Sequence, residues 1–77
     1  MLVFDIKGAT ELAVALLCKG WSYCGKRGLT IHADFHFWSA VYIAGEDELV
    51  TFDFVRNART GLTTCRVDGL PETFRVN

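Results

Sequence analysis

His32, Asp34 and His36 stand at alternate positions, a spacing that invites a metal reading. On one strand they would share a face, neighbours about 6.6 Å apart and the two imidazoles about 13 Å apart. Two adjacent members could meet on one zinc ion, but a third ligand would have to come from another strand or from a cysteine. The cysteines, Cys18, Cys24 and Cys65, have no metal-type spacing, since Cys18 and Cys24 are separated by five residues and zinc pairs by two to four. The expectation is a polar outer strand face and no metal. Cys24 with His32 or His36 and Asp34 is the one set that could support nucleophilic chemistry, which needs a base within hydrogen-bond reach of the thiol. Free cysteines usually serve as small packed side chains, so no catalytic residue is assigned.

The segment Gly20-Trp-Ser-Tyr-Cys-Gly25-Lys26-Arg27 comes close to a phosphate-binding loop. Position eight is Arg27, so the hydroxyl that would hold magnesium is missing. The context is also inverted, with a helical pattern before it and a strand pattern after. A glycine-flanked turn explains it, and no cofactor is expected. Glu46, Asp47 and Glu48 read as a solvated turn, not as carboxylates with divergent acidities.

Any of these groups must be held by elements that 77 residues can build. A chain this short buries only about 60% of its unfolded surface, so a core and a deep catalytic cleft compete for the same residues. It is expected to form a single domain over 1–77. Residues 2–6 alternate as a short strand, and Gly8-Ala9 breaks it. Thr10 then suits a helix N-cap, with Glu11 in the first turn and Gly20 as the stop. Leu12, Ala13, Leu16 and Leu17 form its buried face. Residues 21–28 either extend the helix irregularly or form a short strand over 21–24 that turns at Gly25 to Gly28, and 29–37 reads as one half-buried strand with Leu29, Ile31, Ala33, Phe35 and Phe37 on one side. A break at Ser39-Ala40, a strand over 40–44, the turn 45–48 and strands over 49–55 and 62–67 follow. Asp68-Gly69 signals a hairpin returning over 70–76, with Pro71 confining that strand to an edge.

The expected fold class is therefore α+β: one helix on a mostly antiparallel sheet of four or five strands, in the order β-α-β-β-β-β. The strands over 2–6 and 29–37 flank the helix and could pair in parallel by a right-handed crossover. The core expected from the pattern is Leu2, Phe4, Leu12, Leu16, Leu17, Ile31, Phe35, Val41, Ile43, Val50, Phe52, Phe54 and Val67.

Charge is segregated along the chain. Residues 1–28 carry a net +2, residues 29–55 a net −5 without a lysine or arginine, and residues 56–77 a net +2, cancelling to −1. Two surfaces follow. In the first, Glu46, Asp47 and Glu48 make electrostatic contact with a protein partner while Trp38 and Tyr42 anchor it, aromatic side chains being the ones that dominate interfaces. In the second, Lys26, Arg27, Arg56 and Arg59 with Trp21 and Tyr23 contact nucleic acid, bases stacking on the rings. Eight basic residues and a pI near 6.0 weigh against the second, because nucleic-acid modules commonly exceed pI 9.

Three cysteines cannot complete a disulfide framework, the N-terminus has no signal-peptide pattern, and the longest apolar run has seven residues against about 20 for a membrane span. A cytoplasmic setting without membrane association is expected, as a monomer or a homodimer. In size and type the chain resembles the small phage and mobile-element proteins that inhibit host machinery by binding it, the anti-CRISPR proteins among them. That resemblance implies a non-enzymatic inhibitor acting by surface contact on a host nucleic-acid-processing complex. A nucleic-acid-binding module is the alternative.

Overall fold

The structure, a computed structural model of the chain, describes residues 2–71. Its elements run β1 (Leu2–Asp5), α1 (Ile6–Cys18), β2 (Ser22–His32), β3 (Phe35–Ile43), β4 (Leu49–Asn57) and β5 (Thr63–Asp68). The five strands form one sheet, fully antiparallel, in the order β1-β5-β4-β3-β2. This is the expected α+β class. The expected parallel crossover is not made. β1 pairs with β5 at one edge of the sheet and β2 lies at the other, so α1 spans between opposite edges.

The helix starts earlier than its capping pattern suggests. Asp5, not Thr10, is the N-cap, its carboxylate accepting a hydrogen bond from the Gly8 amide at 2.7 Å. Thr10 lies inside the helix and donates its hydroxyl proton to the Ile6 carbonyl at 2.8 Å. Gly8 and Ala9 therefore continue the helix, and Ala9 is buried. The buried stripe is Ala9, Leu12 and Leu16 with Ala13 beside it, which rotates Leu17 out to 49% exposure. Gly20, with φ +92°, ends the helix as expected.

Residues 29–37 are not one strand. A two-residue turn at Ala33-Asp34, with Ala33 at φ +53°, folds them into the β2–β3 hairpin. His32 then pairs with Phe35, and Ile31 with His36. Such a turn shifts the strand parity by one, so side chains that alternate evenly in sequence land on opposite faces. β3 continues unbroken through Ser39 and Ala40. Gly25 to Gly28 is not a reversal either. It lies within β2, where the register shifts between Tyr23 and Gly25 and again between Arg27 and Thr30.

Ala9, Leu12, Leu16, Trp21, Val50, Phe52, Cys65 and Val67 form the core between helix and sheet, with Phe4, Phe54, Ala40, Tyr42 and Leu70 packed against it. Four residues expected there are exposed instead: Leu2, Leu17, Ile31 and Phe35. Ile43 is half-buried, and Val41 is buried outside this cluster. After β5, the Leu49 carbonyl stands where a side chain at Gly69 would begin, and Gly69 adopts φ +85°. The chain turns there to bring Leu70 onto the core. β5 is flanked by β1 and β4 over 64–67, and the rest of the strand expected over 70–76 lies outside the described residues. No described helix is long and apolar enough to cross a membrane.

The two candidate caps separate by mutation. Asp5→Ala should lower the unfolding free energy by about 1 kcal/mol in urea titrations, the usual worth of an N-cap, and Thr10→Ala by less than about half of that.

Candidate functional site

The hairpin turn decides the fate of the His-x-Asp-x-His pattern. By the strand register His36 shares the helix-side face with Trp38 and Phe54, whereas His32 shares the opposite face with Phe35 and Asn57. Asp34 sits in the turn itself, 3.9 Å from the Arg59 guanidinium, with both side chains largely in solvent. Among the described residues no group of three or more His, Cys, Asp and Glu gathers to hold a metal. Cys24 lies eight positions from His32 on the same strand, about 26 Å along it, so the nucleophile-and-base set is not brought together. Cys18 and Cys24 are exposed and Cys65 is buried.

The sequence-derived surface residues fall into different groups from those expected. Trp21 is buried beside the helix C-terminus, so it cannot stack on a ligand. Lys26 and Arg27, adjacent in sequence, face opposite sides of the sheet: Lys26 pairs with Ala40 and Arg27 with Ser39. Arg56 follows Phe54 on the helix-side face, and Arg59 stands in the β4–β5 loop. Glu46, Asp47 and Glu48 occupy the exposed β3–β4 turn, where the Ala44 amide donates to the Glu48 carbonyl. Trp38 lies about 23 Å along β3 from the start of that turn, whereas Tyr42 is close to it. Trp38 and the acidic turn are thus separate features.

What the structure brings together is an aromatic ladder on the helix-side face. Tyr23 and Tyr42 have ring centroids 5.4 Å apart, Tyr42 and Phe52 5.2 Å, and Phe52 and Phe54 6.3 Å. Phe54 and Trp38 stack nearly parallel at 5.2 Å and 4°, and the Lys26 ammonium sits 5.7 Å from the Trp38 ring centroid. The stack adds about 0.5–1.5 kcal/mol beyond burial and an exposed cation–π pair about 0.5–1 kcal/mol. Burial, and secondarily Tyr23, raise the Tyr42 phenol above its ordinary acidity constant of 10.0, so it remains a neutral donor.

The ladder runs from the core at Phe52 to Trp38, which stands half-buried at the corner of the sheet beside β2. Leu29 and Ile31, at 63% and 60% exposure, adjoin it at the β2 edge. Lys26, His36 and Arg56 share the same face by register. A groove of about 200 Å³ separates this corner from the helix, with Ala9, Thr10 and Ala13 on one wall and Ala40, Tyr42, Phe52 and Phe54 on the other.

The opposite face carries a second concavity, of about 470 Å³, lined by Arg27, Thr30, Phe37, Ser39, Asp53 and Arg66 among others. Its floor is polar and internally paired, the Ser39 hydroxyl donating to the Asp53 carboxylate at 2.6 Å. No protein-family model matches the chain, and neither a curated protein nor a solved structure matches it. A two-layer α+β arrangement with a cationic-aromatic corner at Lys26, Trp38 and Phe54 is what the fold and the site define.

The buried thiol gives a chemical check. Burial, with a smaller contribution from Asp53, pushes Cys65 up to about 12 from 9.0. Its neutral form stabilises the fold fully below pH 9, and that stability declines as pH rises from 9 towards 12. A disulfide-exchange reagent should titrate two thiols in the native protein at pH 8 and the third only after unfolding. In urea, the midpoint should fall less steeply above pH 9 in Cys65→Ala than in the parent chain.

Proposed function

We propose that this chain is a non-enzymatic protein-binding module that docks a partner on the corner around Trp38. The observation that carries the reading is the Lys26–Trp38–Phe54 stack, held half-buried at the rim of the core and adjoined by the exposed Leu29 and Ile31. A large aromatic ring, preorganised by stacking and flanked by aliphatic side chains, is the composition of an interface centre, with charged groups as its rim. The apolar content also weighs against nucleic acid. Leu29 and Ile31 offer nothing to phosphates, and Lys26 and Arg56 are too few to drive a salt-dependent polyanion contact.

The acidic turn at Glu46, Asp47 and Glu48 is a second contact in this reading, acting at a distance from Trp38 and steering a partner with basic groups. Inhibition of a host nucleic-acid-processing complex, of the anti-CRISPR type, is the finer form of the proposal. An acidic turn of this kind can occupy ground that phosphates otherwise hold. Pull-down from the native host is the direct test. Trp38→Ala and Ile31→Asp should each reduce capture of the specific partner at least tenfold while circular dichroism shows the fold retained. Glu46→Lys with Asp47→Lys should slow association and make it less salt-dependent. Capture unaffected by Trp38→Ala and Ile31→Asp would sink the reading.

A further inference from the structure

Resting on that reading, we infer that the element docked in the groove between α1 and this corner is an acidic amphipathic helix of the partner. The chemistry of the groove walls supports this. Residues 6, 10, 13, 14 and 17 share one flank of α1 at the helical period, and Thr10 and Ala13 of that flank line the groove. The same flank carries Ile6, Val14 and Leu17, each about half exposed. Small residues at the groove, Thr10 and Ala13, permit a second helix to approach α1 to the usual 8–10 Å between axes. The floor facing it is aromatic, with Tyr42 and Phe54 in the groove, Phe52 buried behind them and Trp38 beyond.

Width points the same way. Five strands span about 19 Å between the outer strand axes, and one helix about 10 Å across. The sheet is thus wider than one helix, and the described residues place a single helix on it. An extended peptide would instead add to a strand edge. The long edge strand β2 is poorly suited to that, because two register shifts and the positive-φ glycines Gly25 and Gly28 interrupt its ladder. Charge selects the sign. Lys26 and Arg56 stand on this face at the corner, so the helix docked there carries Asp or Glu beside its apolar stripe.

The probe is a synthetic 18-residue peptide, apolar at a helical period and glutamate elsewhere. Three comparison ligands accompany it: a scrambled peptide of the same composition, a version with lysine for glutamate, and an oligothymidylate. Binding to the full chain is read by tryptophan fluorescence and calorimetry. The glutamate helix should bind at least tenfold tighter than all three, and Ala13→Arg, which places a long side chain in the groove, should remove that advantage. Trp38→Phe should abolish the fluorescence response but retain most of the heat. Equal binding of the scrambled peptide, tighter binding of the lysine peptide or oligothymidylate, or no effect of Ala13→Arg would overturn the helix assignment. Sedimentation of the chain alone as a dimer that Ala13→Arg dissolves would also overturn it, giving the groove to a second copy. In each case, capture that still depends on Trp38 and Ile31 would leave the protein-binding reading standing.

Discussion

Among the described residues one thirteen-residue helix covers a five-stranded sheet, and most features of this molecule follow from that mismatch. Leu12 and Leu16 are fully buried against Phe52, Val50, Cys65 and Val67. Each fully buried aliphatic or aromatic side chain contributes about 1.5–3 kcal/mol, so this small cluster carries much of the fold. The aromatic ladder that begins in the core at Phe52 ends half-buried at Trp38. The same side chains thus serve packing at one end and surface chemistry at the other.

The polar groups follow a consistent pattern. The strongest polar contacts, Ser39 to Asp53 and Asp5 to the Gly8 amide, lie at the sheet's opposite face and at the helix start. The exposed thiols lie apart from both histidines along the chain. In the proposed reading the chemistry is recognition by surface. Its clearest electrostatic element is a cation fixed over a ring, which is directional and needs no deep pocket.

Much of the fold was legible from residue patterns. Alternation marked β1, β4 and β5, the apolar period marked α1, and Gly20 marked its end. The cap was misplaced because Asp5 and Thr10 are both competent, and the choice depends on where β1 releases the chain. The 29–37 segment reads as one strand in the sequence because Ala33-Asp34 lacks the Asn-Gly or Asp-Gly signature of a tight hairpin. That single turn exchanged the faces of Phe35, Phe37 and His36 relative to Leu29, Ile31 and His32. It dissolved the apparent ligand set and exposed side chains expected in the core. Cys65 and Trp21 were missed as core residues because neither lies on a long periodic stripe.

The amino-acid sequence by itself determined the class of the protein: a small α+β domain, without a disulfide framework, with charge segregated along the chain. Those properties follow from local periodicity and composition, which act over a few residues and survive any particular pairing. The tertiary structure alone decided which side chains meet. Lys26 reached Trp38, and Trp38 reached Phe54, through strand register, while Trp21 was withdrawn from the surface by the helix end. Register depends on turns and bulges, and a shift of one residue reverses every face. The −5 of the central segment accordingly does not form one acidic surface, since Asp34, Asp53 and the 46–48 turn stand at three separate places.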